Sequence, residues 1–187
     1  MARITNVQDL ESLYDKAVPA ATAKVVNYVT PLYRRWIKAS RFAIMCTVGP
    51  EGTDASPRGD GTAVVNIVDE NTLHMADWRG NNRLDSLRNI VSDGRLSLLL
   101  MVPGCANVVR VNGSAFLTTD DDVVRAFEVN GQRPRIVIVM TIDEIYFQCA
   151  RALTLSELWN ADRSVAMSLP TADELLKEAA SGLGAGV

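Results

Sequence analysis

The sequence predicts a mainly β protein, a mostly antiparallel β-barrel with helices at its periphery. Six or seven segments have the length and apolar pattern of strands, and several are joined by short turns. One short helix after the fourth strand interrupts them, so the regular strand–helix alternation of a doubly wound sheet is absent. Neither GxGxxG after a strand nor GxxxxGK[ST] occurs, which argues against Rossmann and P-loop phosphate sites.

Length and composition are typical of one packed globular domain. The chain has 187 residues, of which 48% are hydrophobic and 22% are charged. We therefore predict a single domain over residues 1–187. The net charge of −3 argues against a nucleic-acid partner. Any phosphate site must come from local placement of arginines.

Targeting and redox features predict a cytoplasmic protein. The N-terminal sequence MARITNVQDLESLYDK carries charges throughout and lacks the apolar core of a signal peptide. No run approaches the roughly 18 apolar residues that cross a bilayer, so no membrane partner is expected. Cys46, Cys105 and Cys149 form no CxxC pattern, and we predict reduced, mostly buried thiols.

The first part of the chain predicts helices followed by two hairpins. Residues 6–38 form a predicted helical segment with breaks near Pro19 and Pro31, because proline interrupts helical hydrogen bonding. Apolar residues at helical spacing give it two stripes. The predicted strands and turns are FAIMCTV (42–48), the turn GPEG (49–52), a return strand TDASPR (53–58), AVVNIV (63–68), the turn DENT (69–72) and LHMAD (73–77).

The second part predicts one short helix and three further strands. Asn82 is a candidate N-cap for a helix over 83–92, with Asp85 completing a capping-box-like pattern. The continuous apolar run at 95–102 predicts a strand buried on both faces. The remaining predicted elements are a strand over 106–119 with a bend or bulge at Asn112-Gly113, a helix over 121–130, a strand over 135–150 and a C-terminal helix over about 171–180.

The most informative stretch is the predicted strand–turn–helix from His74 to Ile90. Its turn contains Arg79 and Arg83 beside a glycine and two asparagines. A helix start offers free N–H groups and a favourable dipole, and arginine suits bidentate phosphate contact. The alternative is a capped surface helix with solvated arginines, and Arg88 is interpreted as a surface charge.

A second basic segment, SPRGDG, lies one strand upstream at residues 56–61. Pro57 and two glycines predict a turn there. Arg58 would then face a phosphate or a planar ring, or would form a solvated pair with Asp60. Two such turns flanking one strand favour a single phosphate-bearing ligand, a nucleotide cofactor.

Other candidate residues carry less information. His74 is the single histidine and has no partners at metal-ligand spacing, so no metal site is predicted. There is no GxSxG nucleophile motif, and no catalytic residue is assigned. Asp120–Asp122 is interpreted as a helix start. Trp159 could cover an aromatic ligand or close the barrel.

Together, these motifs resemble those of the pyridoxamine 5′-phosphate oxidase-like, FMN-binding split-barrel proteins. The resemblance covers roughly residues 40–159. It depends on SPRGD (56–60), DWRGNNRLDSLRNI (77–90), VPG (102–104), RVNGSA (110–115) and CARAL followed by SELW (149–159).

The resemblance implies a six-stranded antiparallel split barrel with peripheral helices. It also implies a homodimer with FMN at the subunit interface. An arginine near the ring, Arg58 or Arg79, would stabilise negative charge on it. The implied FMN contacts are Ser56, Pro57, Arg58 and Gly59 along the flavin, Asp77, Trp78 and Arg79 beside the ring or ribityl chain, Asn82 and Arg83 at the phosphate, and Arg151 and Trp159 from the partner subunit.

The sequence departs from this family near its C-terminal motif. Relatives often carry H-C-x-K-A-x-x-R-S-x-L-W, where this chain has QCARALTLSELW. Gln148 replaces the histidine, Arg151 the lysine and Leu155 the arginine. Since a pyridoxal-phosphate-binding set is also missing, pyridoxamine-phosphate oxidation is not expected.

The leading expectation is an FMN-dependent oxidoreductase acting on a small molecule, with NAD(P)H as a possible electron donor. One alternative is a flavin-binding module without turnover, such as a redox sensor, carrier or storage protein. Others are a barrel that binds haem or a deazaflavin, and a dimerisation domain without a ligand.

Overall fold

The computed structural model describes residues 1–160, 164 and 167–183. Its main feature is a seven-stranded sheet with the order β2-β1-β5-β6-β7-β4-β3, in which all neighbours are antiparallel. The strands are β1 (Phe42–Gly49), β2 (Gly52–Gly59), β3 (Asn66–Ile67), β4 (Thr72–Asp77), β5 (Arg95–Met101), β6 (Val108–Thr118) and β7 (Ile136–Gln148).

The first hairpin forms as predicted but continues further than expected. Gly49 pairs with Gly52 at the turn, and the ladder runs back until Phe42 pairs with Gly59. The prediction of a turn at 56–61 is therefore wrong for its first four residues, because residues 56–59 belong to the regular strand β2. Pro57 is tolerated because β2 lies at the sheet edge, where a missing N–H costs no ladder bond.

The second hairpin is confirmed with a shorter first strand. Of the predicted strand 63–68, only Asn66 and Ile67 pair, with His74 and Leu73 of β4 respectively. The side chains of Val64 and Val65 are nevertheless buried. This two-residue strand β3 is the seventh strand, beyond the six that the resemblance implies.

Strands β5 to β7 form the centre of the sheet. The prediction that 95–102 is buried on both faces is wrong, because Leu96, Leu98 and Leu100 are buried whereas Ser97 and Leu99 are half-buried. The predicted bulge is confirmed, since the β6–β7 register shifts between Asn112 and Gly113.

One hydrophobic core packs against the sheet. Strands β1 and β4 to β7 contribute to it, as do Ile37, Leu87 and Ile90 from two helices. The edge strand β2 has no buried residue. In the described residues β2 and β3 do not pair with each other, so the sheet curves around the core without closing, as a split barrel does.

Helices α3, α4 and α5 contact strands of the sheet, and several helices are shorter than predicted. The segment 6–38 is not continuously helical even between its prolines, and Leu13 and Tyr14 of its first apolar stripe are exposed. The predicted helix 121–130 ends early. The helices are α1 (Val7–Glu11), α2 (Pro19–Ala23), α3 (Pro31–Ala39), α4 (Asp85–Ser92), α5 (Asp121–Arg125), α6 (Arg151–Leu155) and α7 (Ala172–Leu183).

The segment between α2 and α3 is extended and joins the sheet. Val26 and Ile145 exchange two backbone hydrogen bonds of 3.1 and 2.7 Å. Tyr33 adds a side-chain contact, because its hydroxyl accepts a hydrogen bond from the Phe147 N–H at 3.1 Å. These bonds hold the N-terminal part of the chain against β7.

Two further predictions concern cysteines and membrane spans. Cys46 and Cys149 are exposed and Cys105 is half-buried, so the prediction of mostly buried thiols is wrong. None of the helices in the described part of the chain is both long and apolar enough to cross a bilayer.

Candidate functional site

A cavity of about 540 Å³ lies where β4 ends and α4 begins. The end of β2, the end of β6 and the start of β7 complete its wall. Among the residues that the structure describes, five arginines and one carboxylate line it, and we call it the arginine cavity. Its charged residues are Arg58, Arg79, Arg83, Arg88, Arg135 and Asp77.

Strand register brings these segments together. Asp77, the last residue of β4, pairs with Ile136, the first residue of β7. The Arg135 N–H donates to the Asp77 carbonyl at 3.4 Å, which places Arg135 beside the β4–α4 turn. Arg58 pairs with Ala43 of β1 and reaches the cavity from the sheet edge.

The turn between β4 and α4 depends on two asparagines. Asn82 has a φ of 60°, a left-handed conformation that asparagine tolerates better than most residues. The side chain of Asn81 accepts a hydrogen bond from the Arg83 N–H at 3.0 Å. The prediction that Asn82 caps the helix is wrong, because Leu84 occupies the N-cap position and supplies no side-chain acceptor.

The start of α4 consequently has unpaired backbone donors. In the described part of the chain, the N–H groups of Asp85, Ser86 and Leu87 have no hydrogen-bond acceptor, whereas the Arg88 N–H donates to Leu84 at 2.8 Å. Ser86 and Leu87 line the cavity. Free N–H groups and the positive end of the helix dipole both favour an anion at this position.

The arginines differ in how they are held. Arg58 donates to the Ser56 hydroxyl at 2.7 Å and to the Pro57 carbonyl at 3.3 Å. Arg83 pairs with Asp85 at 2.5 Å, and this hydrogen bond raises its pKa. Within the described residues, Arg79 and Arg88 have no carboxylate within 4.0 Å.

Asp77 is the carboxylate that the described residues contribute to this wall. Burial raises the pKa of its carboxyl group, and the positive charges of Arg58 and Arg135 partly offset that rise. Arg135 also donates to the Asn82 side chain at 3.4 Å. The cavity therefore keeps a strong positive charge, with one acid placed between its arginines.

A second cavity of about 370 Å³ adjoins the first. The two share Arg58, Asp77 and Trp78 as a common wall. The segment from Ala126 to Val129, just after α5, also lines this second cavity. We call this second space the side cavity.

The family of the chain follows from its sequence. A sequence profile described as pyridoxamine 5′-phosphate oxidase matches residues 29–149, well over half of the chain. The chain belongs to the pyridoxamine 5′-phosphate oxidase family. This confirms the resemblance found in the motifs. A comparison with curated protein sequences finds no significant match.

Solved structures support the split-barrel fold. A single-residue variant of HupZ from Group A Streptococcus aligns with a TM-score of 0.53 and 15% identity, over 64% of this chain and 99% of that one. For unsubstituted HupZ the values are 0.51 and 17%, over 63% and 91%. A Lactobacillus delbrueckii protein provisionally named pyridoxamine 5′-phosphate oxidase gives 0.50 and 19%, over 65% and 95%.

Most of the residues that the family resemblance implies lie together at the two cavities. The arginine cavity contains six of them: Arg58, Asp77, Trp78, Arg79, Asn82 and Arg83. Pro57 and Gly59 line the side cavity, and Ser56 accepts the hydrogen bond from Arg58. The alternative of a solvated Arg58–Asp60 pair is not observed, since no ion pair joins them in the described residues.

Arg151 and Trp159 do not join this group within one chain. Arg151 opens α6, beyond the Gln148 end of β7, whereas the arginine cavity lies at the Ile136 end. Twelve residue steps of strand separate these ends by roughly 40 Å. Trp159 instead donates to the Cys105 carbonyl at 2.8 Å.

The pattern of the sequence did not reveal three residues of the site. Arg135 reaches the cavity through the β4–β7 register, which no local motif indicates. Arg88, interpreted as a surface charge, also lines the cavity. Ser86 is buried and donates to Asp54 of β2, which anchors α4 to the edge strand.

His74 lies on β4 outside the lining of both cavities. Burial lowers the pKa of its imidazole, and the charge of Asp69 partly opposes this. Over the described ranges, no group of three or more histidine, cysteine or acidic side chains is placed to hold a metal ion.

Proposed function

We propose that the arginine cavity binds FMN and that the protein is an FMN-dependent oxidoreductase. One observation carries this proposal: five arginines and the unpaired N–H groups of a helix start converge on one cavity. The chain as a whole has a net charge of −3. A positive site in an acidic protein favours an anionic ligand, and membership of this family favours FMN.

The residues of the arginine cavity fit both the phosphate end and the ring end of FMN. Arg79, Arg83 and the α4 N–H groups suit a phosphate dianion. Leu87, Leu117 and Ile136 add apolar surface to the same cavity. A volume of about 540 Å³ lies within the range of small-molecule and cofactor sites.

When bound, the flavin supplies the electron-transfer chemistry, and the protein residues bind and orient it. Arg58 and Arg135 carry positive charge on the wall that also holds Asp77. Such fixed charges favour electron density that develops nearby. No general acid or base is assigned.

We further propose that FMN lies at a homodimer interface. Strand β2 borders the cavity and has no buried residue in the single chain, so a partner has surface to cover there. Arg151 and Trp159 follow the Gln148 end of β7, far from their own cavity at its Ile136 end, and a partner subunit would supply them.

A flavin-binding module without turnover is the second candidate. Gln148 and Leu155 replace a histidine and an arginine that relatives often carry. A protein that holds FMN but reduces no acceptor with NAD(P)H would fit this candidate.

The first test is the visible absorption spectrum of the freshly purified protein, repeated after denaturation to identify the released ligand. We expect a flavin spectrum and released FMN. A colourless protein that also takes up no added FMN would refute the proposal. Turnover with NAD(P)H and a small-molecule acceptor then separates an oxidoreductase from a carrier.

A further inference from the structure

Arg83, the exposed arginine that precedes α4, is held at both its backbone and its side chain. The Arg83 N–H donates to the side chain of Asn81 at 3.0 Å. The Arg83 Nε donates to Oδ2 of Asp85 at 2.5 Å. Because the side chain of Arg83 is 79% exposed, it would otherwise keep much of its rotamer freedom. Asp85 therefore limits where the guanidinium of Arg83 can lie.

The contact with Asp85 leaves the terminal nitrogens of Arg83 free to donate. Among the described residues, neither Nη1 nor Nη2 of Arg83 has a hydrogen-bond acceptor. Arg95 and Asp93, which are also two residues apart, pair differently. Both Nε and Nη2 of Arg95 donate to Asp93, at 2.6 and 2.7 Å. Asp93 thus occupies a whole edge of its arginine, whereas Asp85 takes one nitrogen and leaves the two that suit a phosphate.

A second carboxylate anchors the helix start beside this arginine. The hydroxyl of Ser86 donates to Asp54 of β2, and Ser86 is buried. The backbone N–H of Ser86, which faces no acceptor in the described part of the chain, is therefore fixed in place. The side chain of Arg83 is the part of this anion site that still has freedom to lose. Any group that orients Arg83 reduces the entropy lost when a ligand binds.

We propose that Asp85 is a positioning residue for phosphate binding and that it acts through Arg83. Its carboxylate holds the guanidinium beside the free N–H groups of α4, so that Nη1, Nη2 and these N–H groups bind one phosphate. The identity of that phosphate as part of FMN rests on the proposed function. The charge of Asp85 repels a phosphate, so its benefit lies in geometry. The competing explanation is an acid that only stabilises the helix dipole.

Two substitutions at one position separate geometry from charge. Asp85→Asn keeps an oxygen that can accept from Nε and Asp85→Ala removes it, whereas both remove the charge. FMN should bind Asp85→Ala about fivefold more weakly than Asp85→Asn, because the freed arginine must be ordered on binding. Riboflavin should bind the two variants equally. Fluorescence titration measures all four affinities, and equal affinities of the two variants for FMN would overturn the proposal.

The same two substitutions in an Arg83→Ala background test whether Asp85 acts through Arg83. The difference between them should disappear, because the group that Asp85 positions is then absent. A difference that persists would show that Asp85 acts on the helix instead. Asp93→Asn and Asp93→Ala are the matched control, since Asp93 pairs with Arg95 and lies outside the arginine cavity. These two control variants should bind FMN equally, and a fivefold difference between them would contradict a role specific to Asp85.

Inorganic phosphate separates this proposal from that of the cofactor. Isothermal titration calorimetry on FMN-free protein measures its binding to the parent and to both variants at Asp85. If FMN does not bind, but inorganic phosphate binds Asp85→Ala more weakly than Asp85→Asn, the proposed cofactor is wrong and the positioning role stands. If FMN binds both variants equally, the cofactor stands and the positioning role is refuted. Binding of neither FMN nor phosphate to the parent would refute both.

Discussion

The arginine cavity receives side chains from two neighbouring segments, the end of β2 and the turn between β4 and α4, which hold their arginines by different means. Arg58 lies on a regular ladder, is half-buried and donates to two oxygens of its own strand. Arg83 follows the left-handed residue Asn82, and its side chain is 79% exposed. A guanidinium fixed on a strand suits a planar ring, whereas an exposed one beside free helix N–H groups suits a phosphate. The contrast teaches that a strand-held arginine can orient one end of a ligand while an exposed arginine attracts the charge at its other end.

The largest expected effect comes from removing the exposed arginine. Arg83→Ala should weaken FMN binding by about tenfold, because a charged hydrogen bond to the phosphate is lost. Riboflavin, which lacks the phosphate, should bind the variant and the parent equally, as measured by fluorescence titration of both flavins.

Arg95→Ala is the matched control for this prediction. Arg95 pairs with Asp93 at 2.6 Å and its side chain is 71% exposed, much as Arg83 pairs with Asp85, but it lies outside the arginine cavity. Equal losses of FMN affinity in both variants, or an equal loss of riboflavin affinity in Arg83→Ala, would remove the distinction between the two segments.

Removing the fixed arginine should affect both flavins. Arg58→Ala is expected to weaken FMN and riboflavin alike, by about fivefold, because the lost hydrogen-bonding group is partly exposed and faces the ring rather than the phosphate. The same titrations measure this. A loss confined to FMN would place Arg58 at the phosphate and reverse the assignment.

The turn itself can be tested through the stability of the fold. Asn82→Ala should lower the free energy of unfolding by about 1 kcal/mol relative to Asn82→Gly, because alanine is strained at positive φ and glycine is not. Both variants lose the side-chain contact to Arg135, so their difference reports the backbone alone. Urea denaturation measures it, and equal stabilities would contradict the left-handed conformation.

The smallest expected effect is the pH dependence of stability that Asp77, the acid between the two segments, contributes. Burial raises the pKa of Asp77 above its usual 3.8, so the folded state keeps this proton to a higher pH than the unfolded chain does. The stability contributed by Asp77 is therefore present below pH 3.8 and is lost as the pH rises through the folded pKa. Asp77→Asn should gain stability relative to the parent between about pH 3 and pH 7, measured by urea denaturation.

Asp93→Asn should show the opposite sign in that experiment. The hydrogen bond from Arg95 lowers the pKa of Asp93, so its contribution is present at neutral pH and is lost in acid. Parallel pH dependence in both variants would mean that burial does not distinguish Asp77 from an ordinary surface acid.

Local patterns in the sequence predicted the strands and turns that neighbouring residues determine. The strand after Ser40 and its two-residue turn follow from an apolar run that ends at Gly49. The bulge follows from Gly113, where a Cβ atom would lie 1.9 Å from the Thr141 carbonyl oxygen. The β4–α4 turn, with its arginines, was likewise visible as a glycine and asparagine cluster between a strand and a helix.

The errors arise where distant parts of the chain decide the outcome. A proline such as Pro57 argues against a strand only when that strand would lie in the centre of a sheet. Strand β2 lies at the edge because β1 pairs with β5 on the side opposite to β2. The spacing of apolar residues near the N-terminus predicted a longer helical segment. Val26 of that segment instead pairs with Ile145 of the last strand. Arg135 entered the site through a pairing that no spacing along the sequence encodes.

The sheet order has a consequence for the timing of folding. Among the described residues, β4 joins the rest of the sheet only by pairing with β7, and β3 pairs only with β4. During synthesis the β3–β4 hairpin must therefore wait for the last strand to emerge before it can dock, and such long-range pairing is slow. Until then the turn that carries Arg79 and Arg83 lies apart from Arg135 and Ile136. The cavity is thus a late product of folding, and a nascent chain lacking β7 has no assembled site for a cofactor.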